Sequence, residues 1–273
     1  MPSRLIEMAT IRIMLILAVV LAAPSVARAQ LDYRNLDDDR PTLIEDAYPV
    51  EHYAFELVAP WRYSRARGAP GGVHAFIPEL EYGLFSNFHL GVKLPIARAP
   101  TSTGPEWGIS GVRGFALYNF NTEGRWLPGL AVRADAAFPV GTHAGEGTRF
   151  TAKVIATRSW GQSRIHLNGA YTFGTDRPLA AADASHRWWL GGAVDRTLFR
   201  QSALLIIELY ALSPTSAEPV EVNTSLGVRY QLTPLAVCDL GIARRLRRTG
   251  PDYEITLGVS RAFALAGLLP GRP

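Results

Sequence analysis

The chain has 273 residues, of which 48% are hydrophobic and 10% aromatic, and it carries 28 basic and 24 acidic side chains. Without the leader described next, the basic and acidic residues nearly balance, which argues against nucleic-acid binding through a basic field. The single cysteine, Cys238, excludes an intrachain disulfide.

Residues 1–29 have the layout of a secretory signal peptide. A basic start containing Arg4 and Arg12 leads into the apolar run IMLILAVVLAA, and Ala27, Arg28 and Ala29 form a cleavage site of A-x-A type. This run is shorter than the roughly 20 apolar residues of a membrane-spanning helix. We therefore predict cleavage before residue 30, and no later stretch is apolar enough for a helical span.

Residues 30–51 are polar and irregular, and they include three adjacent acids, Asp37, Asp38 and Asp39. These acids lack the alternating ligands and the glycine of a calcium loop. We interpret them as part of a solvated leader, and we expect neither a metal nor a cofactor.

From residue 52 onward the apolar residues recur with a period of two, which is typical of strands. In FHLGVKLPI, for example, Phe88, Leu90 and Val92 share one face. Twelve such windows follow one another: 52–61, 75–84, 88–96, 107–120, 127–140, 148–160, 164–173, 187–198, 202–212, 221–231, 236–245 and 252–263.

The connections between these windows alternate between long and short. Long pieces rich in Gly, Pro and Ser follow the odd windows, among them ARAPTSTGPE and GTHAGEG, and tight turns such as FSN and GQS follow the even ones. This asymmetry, with aromatic residues near both ends of the windows, predicts an all-β fold: an up-and-down antiparallel transmembrane β-barrel of about 12 strands.

Charged residues fall on the face opposite the apolar stripe, and that face must be the lumen because charge facing lipid is costly. The outer face should contact outer-membrane lipids. The residues predicted to line the lumen are Glu56, Glu79, Glu81, Lys93, Arg113, Arg133, Asp135, Arg164, His166, Arg229 and Glu254.

Residues 40–51 are too polar to face lipid. We expect residues 30–51 to lie at the periplasmic mouth or to fold into the lumen as a short plug, where Glu45 and Asp46 would meet Arg133 or Arg229. The full plan is a signal peptide over 1–29, this segment over 30–51, a barrel over 52–263 and a tail over 264–273.

Two alternatives to transport remain open. His166 and Asn168 lie two residues apart near Ser163, which is compatible with a barrel enzyme acting on lipid or ester. However, no G-x-S-x-G or H-E-x-x-H spacing occurs, so we predict no catalytic residues. The other alternative is a structural or interaction barrel whose basic first external loop, 64–72, contacts a partner.

The segment RPTLIEDAYPVEHYAFEL, followed by PELEYGLFSNFHLGVKLPI, resembles the MetA-pathway phenol-degradation family of outer-membrane barrel proteins. That family shows an Arg-Pro start, an acidic step before Ala, a Phe-Glu-Leu strand and an E-x-x-Y-G hairpin. The matching residues here are Arg40, Pro41, Glu45, Asp46, Ala47, Phe55, Glu56, Leu57, Glu79, Glu81, Tyr82, Gly83, Leu84, Leu90, Gly91 and Pro95.

The resemblance implies transport of a small, aromatic or hydrophobic molecule across the outer membrane of a Gram-negative bacterium, without an enzymatic activity. Near the C-terminus, Gly258 and Phe263 resemble the terminal signal that the barrel assembly machinery recognises, although the chain continues past it. Expected partners are therefore lipid, the assembly machinery and a small-molecule cargo.

Overall fold

The computed structural model describes residues 31–66, 71–101, 104–174, 186–199, 202–214, 219–247, 251–265 and 268. The expected signal peptide and most of the expected C-terminal tail lie outside the described residues.

The described chain folds into sixteen strand segments joined into one closed sheet. In chain order they are β1 (Phe55–Val58), β2 (Trp61–Ala66), β3 (Val73–Phe76), β4 (Glu79–Phe85), β5 (Phe88–Lys93), β6 (Ile96–Thr101), β7 (Gly104–Ile109), β8 (Val112–Asn121), β9 (Gly129–Phe138), β10 (Arg149–Trp160), β11 (Ser163–Phe173), β12 (His186–Leu198), β13 (Ala203–Pro214), β14 (Glu221–Thr233), β15 (Ala236–Arg245) and β16 (Pro251–Phe263).

Sequential antiparallel pairing closes the sheet into a barrel. The last strand, β16, pairs with both halves of the first crossing: Phe263 lies opposite Phe55 of β1, and Leu257 lies opposite Trp61 of β2. The eight segments β1 to β8 form four interrupted crossings and the other eight are continuous, so the wall has twelve strands. The predicted 12-stranded antiparallel barrel is confirmed.

Prolines cause three of the four interruptions. Pro60, Pro78 and Pro95 have no backbone N–H to give to a strand ladder. They lie side by side, since Ile77 N donates to Pro60 O at 3.0 Å and Leu94 N donates to Pro78 O at 2.9 Å. The fourth interruption contains Gly111, whose φ of 111° favours glycine.

Two details of the predicted strands are wrong. The first strand begins at Phe55 and not near Tyr53, which lies in a turn and has a φ of 66°. The predicted loop ARAPTSTGPE is mostly strand, because β6 and β7 pair from Ile96 opposite Ile109 to Thr101 opposite Gly104. The strand ends that border the other longer connections lie together at one end of the barrel; these ends are Ala66 and Val73, Phe138 and Arg149, Phe173 and His186, Pro214 and Glu221, and Arg245 and Pro251.

The outer face of the wall is apolar and the inner face is polar. Val154, Leu190 and Ile207 are 61%, 63% and 57% exposed, whereas Arg133 and His166 are buried. Such an exterior suits a hydrocarbon environment. In the described part of the chain, no helix is long and apolar enough to cross a membrane.

Residues 31–54 lie inside the barrel, and we call them the lumen segment. Their apolar side chains, including Leu36 and Ile44, pack in one buried cluster with Leu204 and Ile206 of β13. This contact explains why β13 reads as an almost continuous apolar run: its outer face meets lipid and its inner face meets the segment.

Candidate functional site in the barrel lumen

The lumen segment enters from the short-turn end, reverses and returns. Leu31 N donates to Pro234 O in the β14–β15 turn at 2.9 Å, and Tyr53 N donates to Gly83 O in β4 at 2.8 Å. In between, Asp46 N donates to Leu36 O at 3.1 Å, which joins the two arms. The reversal places residues 37–40, the tip, deep in the barrel.

Arg40 is the centre of a buried ion-pair network at the tip. Its guanidinium donates to Asp239 Oδ2 at 2.6 Å, to Asp37 Oδ2 at 2.5 Å and to Glu56 Oε1 at 3.1 Å. Arg229 of β14 adds a second cation, with Nη2 at 3.1 Å from Asp37 Oδ2. The segment thus supplies a cation to two acids of the wall and an anion to one of its arginines.

Asp38 meets three cations from the opposite wall at a single oxygen. Its Oδ2 lies 3.2 Å from Lys153 Nζ, 3.6 Å from Lys93 Nζ and 3.7 Å from an Arg133 nitrogen. Lys93 Nζ is buried and makes no hydrogen bond within the described residues. Lys93 Nζ also lies 3.1 Å from Glu79 Oε2 of the wall, so its charge is balanced by acids of both the wall and the segment.

Residues of the wall bind both the side chain and the backbone of Glu45. Arg133 Nη1 donates to its Oε1 at 2.7 Å and Lys153 Nζ donates to its Oε2 at 2.9 Å. The Asn168 side chain accepts from Glu45 N at 2.9 Å and donates to Glu45 O at 2.8 Å. Side chain and backbone at this position are fully engaged by β9, β10 and β11.

Asp46 pairs with Arg164 at 2.9 Å rather than with the two arginines expected. Arg164 also contacts Asp195, and Asp195 Oδ2 lies 2.9 Å from His166 Nε2. The other ring nitrogen of His166 is 3.0 Å from the Thr157 hydroxyl. His166 therefore belongs to a buried polar network.

Thr157, His166 and Asp195 follow one another in the hydroxyl, imidazole and carboxylate order of a catalytic triad. Unlike a triad, this series is not accessible to a substrate. The Thr157 hydroxyl accepts a hydrogen bond from Ala47 N at 3.1 Å, and Thr157 and His166 are both fully buried. No substrate can reach the hydroxyl while the segment is in place. Ser163, which the sequence placed near His166, makes no contact with it among the hydrogen bonds of the described residues.

Nine of the eleven residues predicted to line the lumen are buried in it, and Arg113 and Glu254 are half-buried at the edge of a cavity. The interpretation of Asp37, Asp38 and Asp39 as a solvated leader is wrong. Their carboxylates pair with lumen cations, because a run of acids is stable in the interior when the wall supplies positive partners.

Sequence reasoning did not single out Arg40 as a site residue, because one arginine in a polar stretch carries no periodic signal. For the part of the wall that contacts Asp38, the sequence did contain a signal, namely the rarity of lysine. The chain contains only two lysines, Lys93 and Lys153, and both lie beside Asp38.

The wall also fits the segment sterically. A Cβ atom built on Gly227 would lie 2.6 Å from Pro41 Cγ, and one built on Gly241 would collide with the Pro41 carbonyl. Neighbouring strands β14 and β15 therefore leave room for Pro41 only because both positions are glycine.

A cavity of about 200 Å³ lies above the tip. Its lining includes the charged side chains of Asp38 and Lys153 and the aromatic side chains of Trp189 and Tyr210. Glu221 and other residues bordering the longer connections also line it, so the cavity lies toward that end of the barrel.

Burial and charge shift the pKa values of the acids in the segment, which does not itself span the membrane. Burial alone would raise the pKa of Asp38, but Lys153, Lys93 and Arg133 outweigh it and hold that pKa well below the usual value of 3.8. For Asp46 the balance is reversed: burial raises its pKa to about 7 against the opposing effect of Arg164.

One group of acids has the spacing of a metal site. Carboxylate oxygens of Asp37, Glu56 and Glu81 lie within 4.8 Å of one another. Arg40 already pairs with Asp37 and Glu56. A cation is thus already present between two of the three acids, and this group gives no separate support for a metal.

No protein-family model and no curated protein sequence matches the chain. Solved structures with a similar fold include the COG4313 outer membrane channel from Pseudomonas putida F1, with a TM-score of 0.57 and 14% identity over 84% of this chain and 100% of that chain. KdgM porin in complex with disordered oligogalacturonate gives a TM-score of 0.53 and 11% identity over 77% of this chain and 99% of that one. NanC porin gives 0.51 and 11% over 76% and 98%.

These likenesses establish the fold. Together with the closed sheet and the apolar exterior, they define the chain as a β-barrel of the bacterial outer membrane, in agreement with the localisation expected from the sequence.

Proposed function

We propose that the protein is an outer-membrane channel for small molecules and that the lumen segment is its gate. The observation that carries the proposal is that the interior is filled by a separate chain segment, bound through ion pairs and hydrogen bonds, rather than by the wall alone. A segment bound in this way can leave the lumen without unfolding of the barrel.

The strand number of the wall is compatible with such a role. Barrels of eight strands are filled by their own side chains, and those of sixteen or more enclose an aqueous channel. A 12-stranded wall lies between these limits. Moving the segment would join the cavity above the tip to the periplasmic mouth.

Similarity in fold to channels and porins supports this reading, and the resemblance of residues 40–96 to the MetA-pathway family supports an aromatic or hydrophobic cargo. Cargo of that type also fits the presence of Trp189 and Tyr210 in the cavity wall.

Planar-bilayer recording tests the proposal with two proteins, the processed chain and a variant lacking residues 31–50. The variant should conduct ions several-fold better, and liposomes containing it should admit a small aromatic solute faster. Mobility that changes on boiling would show that the shortened barrel is closed. A folded variant that passes neither ions nor solute would refute the channel.

The enzymatic alternative has weaker support, since the Thr157 hydroxyl is covered by the segment. Substituting His166 by Ala should abolish any lipid or ester hydrolysis that the protein shows, and a parent protein without hydrolysis would dismiss the idea. The alternative of a binding loop concerns 64–72, of which 67–70 lie outside the described residues.

A further inference from the structure

The two lysines occupy a place where an anion from outside could replace part of the gate. Both ammonium groups are buried beside Asp38 Oδ2, yet their distances to it, 3.2 and 3.6 Å, are longer than those of good charge-assisted hydrogen bonds. Each lysine has a nearer carboxylate than Asp38, since Lys93 Nζ lies 3.1 Å from Glu79 Oε2 and Lys153 Nζ donates to Glu45 Oε2 at 2.9 Å. A carboxylate free to choose its position would be a better acceptor than the tethered one of Asp38.

The charges of the wall point to the same ligand. Around Lys93 and Lys153 the wall also carries two arginines and three acids: Arg113, Arg133, Glu79, Glu81 and Asp135. The segment adds the acids Asp38, Asp39 and Glu45. When the tip leaves, Lys93 and Lys153 lose the Asp38 carboxylate, and a small anion in its place would restore that charge.

The cavity next to the lysines has the size and lining for a single aromatic ring. A cavity of about 150 Å³ is enough for benzene, and the cavity here measures about 200 Å³. Lys153 Nζ lies 5.4 Å from the centre of the Trp189 ring, and Tyr210 lines the same space. A ligand whose carboxylate reached the lysines would bring its ring against these aromatic side chains.

We propose that the cavity binds a small aromatic carboxylate, whose carboxylate replaces Asp38 between Lys93 and Lys153 and so releases the tip of the gate. This inference rests on the proposed channel function and adds to it the chemical class of the cargo. Asp38 then acts as a built-in competitor. Because it is tethered, its effective concentration is in the millimolar range or above, so the intact protein should bind free carboxylate weakly.

The lysine count allows a direct measurement. Selective ¹⁵N labelling of lysine side chains gives one ammonium signal for each of Lys93 and Lys153 and none elsewhere in the chain. The full processed chain in detergent would be titrated with benzoate and, in parallel, with benzamide, a neutral molecule of similar shape.

Benzoate should shift both signals to saturation and benzamide should not. The variant Asp38→Asn should bind benzoate about tenfold more tightly, because a tethered competitor at millimolar effective concentration has been neutralised. The matched control Glu146→Gln changes an exposed acid in the 139–148 connection and should bind as the parent does.

Equal shifts with benzamide, no shift of either lysine signal, or unchanged affinity in Asp38→Asn would overturn the inference. If that variant fails to fold, the comparison of benzoate with benzamide in the parent chain decides alone. Bilayer conductance of the same preparations separates the two proposals. A conducting channel without benzoate selectivity refutes only the aromatic-carboxylate site, whereas benzoate binding without conductance in any variant refutes only the channel.

Discussion

Arg40 shows at the scale of one residue how the gate is held. Its guanidinium meets three carboxylates, one from the segment and two from the wall, and it is completely buried. Buried charge is costly unless it is paired, so the network favours one position of the tip over others.

Replacing Arg40 by Gln should release the segment while leaving the barrel closed. Removal of one partner of a buried ion pair typically costs about 3 to 5 kcal/mol. Here that cost would weaken the docking of the segment in the lumen. Limited proteolysis should then cut within 31–54 in the variant and spare the parent. Arg34→Gln is the matched control, because Arg34 makes no ion pair among the described residues; equal protection of both variants would contradict the role of Arg40.

The raised pKa of Asp46 predicts that docking of the gate depends on pH. Its pKa rises from 3.8 to about 7 in the docked segment, so its contribution to docking is fully present below pH 3.8 and is lost as pH rises through about 7. The undocked population should grow by at most about tenfold per pH unit between pH 4 and 7.

Open probability in bilayers, recorded from pH 5 to 8, measures this response, and Asp46→Asn should flatten it. The lowered pKa values of Asp37 and Asp38 act only near and below pH 3.8 and therefore do not interfere in this range. An open probability that falls as pH rises would show that the sign is wrong.

At the scale of secondary structure, the wall is adapted to the segment through its glycines. Gly227 and Gly241 lie directly opposite each other on β14 and β15, and both approach Pro41. Strand interiors usually avoid glycine because it adds no packing and costs entropy. Here its lack of a side chain lets two chains approach closely.

The variant Gly241→Ala should therefore displace residues around Pro41. The added methyl group meets a backbone carbonyl, which cannot move aside as a side chain end would. We expect greater protease sensitivity in 31–54 and a larger conductance. Gly114→Ala provides the control, since a Cβ atom there has nothing within 4 Å; equal behaviour of the two variants would argue against the steric fit.

For the whole molecule, the apolar outer face should make the folded barrel sensitive to charge at mid-membrane. Val154→Arg, at the middle of β10 on the outer face, should destabilise the barrel by about 2 to 4 kcal/mol. Leu127→Arg, in the 122–128 turn near the interface, should cost about 0 to 1 kcal/mol. Urea-induced unfolding in lipid vesicles measures both, and equal costs would mean that the bilayer does not cover β10 as described.

The sequence by itself determined the architecture, because in a barrel wall the side chains alternate between two very different solvents. A period of two determines which side chains point outward, as Leu167 does, and which point inward, as His166 does. Strand number, the two faces and the localisation could therefore be predicted. The proline interruptions escaped this reading because strands on both sides of Pro78 or Pro95 keep the same alternation.

Tertiary structure alone decided the contents of the lumen. The partners of Arg40 include Glu56 and Asp239, which are 16 and 199 residues away in the chain. No local pattern encodes such pairs, and a run of acids such as the one around Asp38 is interpreted as solvated until the cations of the wall are known. The period-two pattern gave the barrel because it is local, whereas the gate depends on charges that meet only when the wall closes around residues 31–54.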